Sequence, residues 1–426
     1  MSASATLVIS RFGPDQAGGA ALRNLQNIRG LGRLGPVDVL TLSEESREGV
    51  ISSFEGVREW ECLSIKSKRS SMRDRLMGNR WLWRPRIHPL LDRYRLQSAE
   101  KWLRARIQKH SYRCIVIEEL ALARYGEFCR ALGCRVIFDA HNIEGALRAE
   151  LAGADRGKGA GWFQRAKSGV LAARLSHEEQ RAVRSADLVW ACSPMDANVM
   201  ADLYGKRATV VPNAVDVDAY RPRPTAAVGD WHARPLTILF TGSFSYFPNA
   251  EAAMRLIREI LPILRRSYPT TRLCLVGRNP SEAMLASAKA DPAIVVTGEV
   301  PSVLPYFHVE SVAVVPLIFG SGTRLKILEA FAAGIPVVST AKGAEGIDAT
   351  DGYHLLLRED PIAIAKAAVQ LWEDAALRWR IVVNAGLLVE SQYSWPVAAA
   401  RIASSLTVGA RDGDEAAMGA QRQASS

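Results

Sequence analysis

Two cations and a carboxylate behind a glycine-rich turn are the residues of this chain best suited to chemistry. The stretch Val314-Val-Pro-Leu-Ile-Phe-Gly-Ser-Gly-Thr-Arg-Leu-Lys-Ile-Leu-Glu-Ala-Phe-Ala-Ala-Gly-Ile-Pro-Val-Val-Ser-Thr340 reads as buried strand, glycine turn, helix and second buried strand. The turn Gly320-Ser321-Gly322-Thr323 stands just before the helix that carries Arg324, Lys326 and Glu329. Backbone N–H groups at a helix start attract anions, and glycines let a phosphate approach closely. Cations in a first turn oppose the helix dipole, so an anionic ligand would explain Arg324 and Lys326. Glu329 can accept from sugar hydroxyls. The unit reads as a cradle for a nucleoside diphosphate.

Further candidates lie at other strand ends. Gly18-Gly19 open the first helix after the first strand, and a tight strand-to-helix turn would also need them. Arg23, one turn on, either faces a cleft or belongs to a solvated helix face. His141 follows the strand 136–139 at its carboxyl end, where open α/β sheets place ligands. Asp139 reads as a loop cap. Glu118 and Glu119, past another strand end, are partners for an acceptor hydroxyl or surface charges.

The elements that must position these residues alternate. Strands at 7–10, 37–42, 114–117, 136–139, 187–191 and 209–212 are separated by helical patterns, the first over 20–30. A second series has strands at 237–241, 273–277, 294–298, 311–316, 336–339 and 354–357, with a helix over 250–266. Continuously apolar strands are buried on both faces, as in a parallel sheet. The fold class is α/β, with two doubly wound Rossmann-like domains facing across a cleft. The first domain spans 1–219, with a basic insertion at about 64–110. A proline-rich linker at 220–235 leads to the second domain at 236–390. A helix at 391–408 returns to the first domain, and the small, polar tail 409–426 is expected to be disordered.

A chain of 426 residues exceeds one ordinary core. Its formal net charge of +10 calls for an acidic partner. The cysteines Cys62, Cys114, Cys129, Cys134, Cys192 and Cys274 form no C-x-x-C pair and no zinc spacing, which suits a reducing compartment. The amino terminus lacks a signal-peptide layout, and no apolar run approaches the ~20 residues of a membrane span. The expected location is cytoplasmic.

Several landmarks occur in order: Gly18-Gly19, Asp139-Ala-His-Asn-Ile-Glu144, Ala186-Asp-Leu-Val-Trp-Ala-Cys-Ser193, Val211-Pro-Asn-Ala-Val-Asp216, Phe240-Thr-Gly-Ser243, Val276-Gly277, Gly298 and the block around Glu329. Over roughly residues 6–405 the chain resembles the retaining glycosyltransferases of the GT-B fold, the group 1 or family 4 type of bacterial cell-wall and polysaccharide enzymes. The resemblance implies a nucleoside-diphosphate sugar held mainly by the second domain, and a glycan or lipid-linked acceptor on the first. It implies transfer with retention, no cofactor and no metal ion. It assigns the Gly18 and Gly19 amides to charge on the leaving group, and the His141 main-chain carbonyl to positive charge at the anomeric carbon. Asn142 and Glu144 would reach the acceptor or brace His141, with Glu119 a further acceptor contact. Gly242 and Ser243 border the donor phosphates, Gly277, Arg278 and Val300 the base, and Glu329 the ribose.

The chain departs from the family twice. Common members carry an arginine and a lysine in the loop after Gly242, whereas Ser243-Phe-Ser-Tyr-Phe-Pro-Asn249 has no cation. Eight positions before Glu329 stands Ser321, where an acidic residue is usual. Two charge-assisted bonds to phosphate are worth roughly 1.5–3 kcal/mol each, so their loss needs replacement. Arg324 and Lys326, inside that interval, are the expected substitutes and are counted as catalytic with His141 and Gly19.

The segment 66–95 holds ten cations, from Lys66 to Arg95, against Asp74 and Asp92, with Trp81 and Trp83 interleaved. That composition suits an anionic membrane surface on its inner face, or else a solvated insertion. A second such piece, at 156–167 with Trp162 and Phe163, joins the same expectation. Nucleic-acid binding is excluded as a leading reading, because charge comes without a recognition motif. A non-catalytic nucleotide- or glycan-binding relative and a nucleotide-sugar epimerase of the same fold stay open.

Overall fold

The computed structural model describes residues 5–13, 18–43, 49–50, 54–65, 88–145, 162–221, 235–307, 311–320 and 324–407, without side chains at 49–50 and 162–168. Outside them lie Ser321, Gly322 and Thr323, most of the 66–95 segment and the 220–235 linker, the tail from 408, and residues 156–161. The side chains of Trp162 and Phe163 are likewise outside the description.

The chain divides into two units. The first takes residues up to 16, 20–212 and 398 onward; the second takes 213–397 and the turn at 17–19. Residues 213–221 therefore group with the second unit. Val215 N–H donates to Tyr393 O at 2.9 Å and Trp395 N–H to Val215 O at 3.2 Å.

In the first unit the strands are β1 (Ala5–Ser10), β2 (Val37–Ser43), β3 (Gly49–Val50), β4 (Val57–Ser64), β5 (Tyr112–Glu118), β6 (Val136–Ala140), β7 (Leu188–Ala191) and β8 (Thr209–Val210). They form one sheet in the order β3-β4-β2-β1-β5-β6-β7-β8, parallel except for β3 against β4. Alternate residues serve opposite faces. Leu7, Ile9, Ile115, Ile117 and Phe138 enter one core, and Val8, Val39, Val116, Ile137 and Trp190 the other. Residues 395–407 are helical, and Ile402 and Leu406 complete the second core. Trp190 Nε1 donates to Ser405 Oγ there at 3.1 Å.

The strand β4 was not expected, because Arg58, Glu59 and Glu61 break its apolar run. Arg58 pairs with Asp38 and Arg106 with Glu59, so those charges are neutralised at the sheet margin. The helix Gln97–Lys109 buries Ala99 and Leu103, which makes that part of the expected insertion an ordinary packed helix.

The second unit has β9 (Thr237–Thr241), β10 (Arg272–Val276), β11 (Ile294–Val296), β12 (Ser311–Val315), β13 (Val337–Ser339) and β14 (Leu356–Leu357). Its sheet runs β11-β10-β9-β12-β13-β14, with every pair parallel. This is the doubly wound order, with its switch point between β9 and β12. The first sheet reverses likewise between β1 and β5. The helix expected over 250–266 is Phe247–Arg255, a π-turn at Leu256–Ile260 and Leu261–Ser267. Pro262 has no N–H to give to a regular ladder there.

Candidate functional site

In the first unit, the carboxyl ends of β5 and β6 bring Glu118 opposite Asp139 in register. Two buried carboxylates side by side need counter-charge and donors. The helix Gly19–Gly32 supplies them. Arg23 donates from Nε to Asp139 Oδ2 at 2.8 Å, from Nη2 to Oδ1, and from Nη1 to Val211 O at 2.9 Å. Asn27 donates to Asp139 Oδ2 at 2.8 Å and Glu118 Oε1 at 3.1 Å. Arg23 is 1 % exposed, and Asp139 and Glu118 are 0 %. These values correct three expectations. Arg23 faces a buried carboxylate instead of solvent, Asp139 is a buried ion-pair partner instead of a loop cap, and Glu118 is no surface charge.

His141 closes this cluster. Its Nε2 lies 2.8 Å from Glu118 Oε2 and 3.2 Å from Asp139 Oδ2, and its Nδ1 lies 3.3 Å from Glu119 Oε1. Glu119 also meets Arg11 at 3.1 Å, and it holds φ at 76°, a strained value for a side-chain-bearing residue. So Glu119 is an anchored member of the cluster. The His141 carbonyl accepts from Cys192 Sγ at 3.3 Å. Burial and then Asp139 push Glu118 up to about 7. Burial opposes charge on His141, but hydrogen bonds to Asp139, Glu118 and Glu119 outweigh it and raise its pKa well above the ordinary value. Burial likewise opposes ionisation of Asp139, and Arg23 more than offsets it, leaving Asp139 below the usual carboxylate range. Three carboxylates thus face two arginines and His141, so opposite charges are paired within the cluster.

Glu118, Asp139 and His141 also bring three ligand-type atoms within 4.8 Å of one another, as a metal site would. Arg23 donates to Asp139 and Asn27 to both Asp139 and Glu118, so protein donors already serve these carboxylates. After His141, the N–H groups of Glu144 and Gly145 bond Glu179 at 2.8 and 2.9 Å. Tyr204 Oη donates to the same Glu179 at 2.6 Å. Asn142 and Glu144 are half-buried beside this brace.

In the second unit, three strand-end turns converge. Gly242 and Gly277 have φ of 157° and 150°, and a Cβ on Gly277 would lie 1.8 Å from Gly242 O. Only glycine allows that approach. Gly277 also bridges Gly298, and Phe244 N–H donates to Arg278 O at 2.9 Å. Val300 is half-buried and Ser243 Oγ lies 2.9 Å from Ser245 Oγ. Gly18 has φ 123°, Gly19 begins its helix, and their turn groups with this unit.

The helix Leu325–Ala332 follows the Gly320 turn, with Arg324 as its N-cap. Gly320 has φ 112°, and a Cβ there would come within 3.2 Å of the Arg324 guanidinium and 3.0 Å of Tyr246 Oη. Arg324 and Glu329 are each 7 % exposed. Lys326 Nζ donates to Asn249 Oδ1 at 2.6 Å and stands 4.1 Å from the Phe240 ring centroid. Asn249 Nδ2 in turn donates to Ser243 O at 2.9 Å. A Cβ on Gly242 would be 3.0 Å from Lys326 Nζ. The cation-free loop after β9 thus receives an ammonium from the helix. Burial and the neighbouring Arg324 lower the Lys326 pKa to about 7. Glu329 accepts from Tyr220 Oη at 2.6 Å. Burial raises the Glu329 pKa, while Tyr220 and Lys326 act against the rise.

Sequence reasoning missed Tyr220, Asn249, Asn27, Arg11 and Glu179. Tyr220 and Glu329 are 109 residues apart, and Lys326 and Asn249 are 77 apart. No local pattern announces such pairs.

Residues 235–374 match the family described as glycosyl transferases group 1, and residues 17–219 match glycosyltransferase family 4. The chain belongs to the group 1 glycosyltransferases. The fold of this glycosyltransferase is GT-B, and solved structures agree. Sucrose-phosphate synthase from Thermosynechococcus elongatus superposes with a TM-score of 0.69 at 18% identity, over 94% of this chain and 98% of that one. Anabaena HepE in complex with UDP and glucose gives 0.62 at 15%, over 94% and 99%. An α,α-trehalose-phosphate synthase (UDP-forming) from Burkholderia vietnamiensis gives 0.61 at 14%, over 95% and 100%. No curated protein matches the sequence. Among the described residues of this glycosyltransferase, no helix is long and apolar enough to cross a membrane.

Proposed function

We propose that this glycosyltransferase moves a hexose from a nucleoside-diphosphate sugar to a glycan or lipid-linked acceptor, with retention of configuration and without a metal ion. One observation carries the reading: Lys326 is half-buried at the Gly242 turn with Asn249 as its hydrogen-bond partner. Among the described residues no carboxylate lies at ion-pair distance from it. A partly desolvated ammonium next to a guanidinium is held at a cost that an anion would relieve. A diphosphate supplies that anion, and Anabaena HepE, which shares the fold, was solved with UDP-glucose.

In this reading Arg324, Lys326 and the amides of the 320–323 turn neutralise the departing diphosphate. Glu329 takes the ribose, and Gly277, Arg278 and Val300 border the base. The Gly18 and Gly19 amides share the leaving-group charge. His141 is held rigidly by Glu118, Glu119 and Asp139, so that its carbonyl meets the anomeric carbon; Asn142, Glu144 and Glu119 line the acceptor side. We also propose a cytoplasmic enzyme on the inner membrane face, through the basic 66–95 segment.

The test is incubation with UDP-, GDP- and ADP-hexoses, following nucleotide release and reading the first-formed anomer by proton NMR. Release with the donor's own anomeric configuration is expected. Inverted product would remove retention alone. An epimerised hexose would favour the epimerase reading, and no turnover of any donor would favour a binding protein.

A further inference from the structure

Glu329 sits on the helix Leu325–Ala332 and is buried. Its Oε1 accepts the Tyr220 hydroxyl at 2.6 Å. Among the described residues Oε2 has no hydrogen-bond partner. A carboxylate has two oxygens and about four acceptor positions, so one tyrosine leaves room for sugar hydroxyls.

Tyr220 is itself fixed. It ends the one-turn helix Val217–Tyr220, which Asp216 caps by accepting from Ala219 N–H at 3.3 Å. Its ring meets Phe307 edge to face, with centroids 5.5 Å apart. The next residue, Arg221, pairs with Glu390 at 3.3 Å. The bond to Glu329 thus comes from an anchored ring.

We propose that Tyr220 is a positioning residue for the donor's ribose, orienting Glu329 so that Oε2 accepts the ribose hydroxyls. This rests on the reading that Glu329 takes the ribose. A second effect reinforces the first. Burial raises the Glu329 pKa and the Tyr220 bond works against that rise, which favours the ionised, accepting form. A protonated Glu329 would offer a donor where the ribose needs an acceptor.

The test uses the full chain and calorimetric titration with UDP, GDP and ADP, then with the 2′,3′-dideoxy analogue of the tightest binder. The wild type is expected to prefer the ribose form by at least about tenfold, the scale of one charge-assisted hydrogen bond. Tyr220→Phe should cut that preference at least fivefold while leaving affinity for the dideoxy analogue unchanged. Glu329→Gln should abolish most of it. Full preference retained in Tyr220→Phe but lost in Glu329→Gln would overturn the role of Tyr220 alone. Equal weakening of both ligands by Tyr220→Phe would show mere structural support and also overturn it. Preference retained in Glu329→Gln, or none in the wild type, would overturn the ribose reading itself.

Discussion

Lys326 Nζ donates to Asn249 Oδ1 at 2.6 Å, at the turn where Gly242 has no side chain to displace it. The pair links the helix Leu325–Ala332 to the loop after β9, because Asn249 also donates to Ser243 O at 2.9 Å. The loop 243–249 carries no cation of its own, and the helix brings one to it.

Donor affinity should depend on pH through Lys326. Its pKa in the free protein is lowered to about 7, first by burial and then by Arg324. A bound diphosphate favours the charged form and raises that pKa. Affinity for an intact nucleotide sugar, whose own phosphates do not titrate in this range, should be flat below about pH 7. Above it, affinity should fall by up to about tenfold per unit as binding has to take up a proton. Calorimetry at pH 8 in buffers of different ionisation enthalpy should show that proton uptake, and Lys326→Met should remove it.

Gly277→Ala should damage the second unit locally. A Cβ there meets Gly242 O at 1.8 Å, and backbone cannot move aside as a side-chain tip can. The φ of 150° adds strain of about 1–3 kcal/mol. Denaturant unfolding should show the loss, and donor affinity should drop because the Gly242 turn must shift. By contrast Gly133→Ala, where a Cβ meets nothing within 4 Å, should cost only the strain of its φ of 83°.

Arg23→Met should destabilise the first unit by about 3–5 kcal/mol, since it leaves Asp139 buried without its cation. Arg23→Met with Asp139→Asn should recover part of that loss, as a double-mutant cycle would show. A loss below about 1 kcal/mol in the single variant would mean the buried cluster reorganises around His141.

The alternation of apolar strands and helices is enough to read two parallel sheets, because strands such as Leu7-Val-Ile and Val136-Ile-Phe have no solvent-facing side to pattern. Where a strand lies near a sheet edge and carries charges, as β4 does with Arg58, Glu59 and Glu61, that signal fails. Within the site, strand ends and glycine turns point to His141, Gly242, Arg324, Lys326 and Glu329. What stays hidden is pairing at long range. Arg23 looks like any helix-face arginine until β6 brings Asp139 to it across 116 residues. Tyr220 looks like the start of a linker until it bonds Glu329.

In the proposed function, the second unit binds a nucleoside diphosphate through Lys326. Calorimetric titration of UDP, GDP and ADP into the full chain and into Lys326→Ala tests it most directly. Saturable one-to-one binding of at least one of the three is predicted, weakened in the variant by roughly 1.5–3 kcal/mol, the worth of a charge-assisted bond. Absence of binding by all three, or equal affinity in wild type and Lys326→Ala, would contradict it.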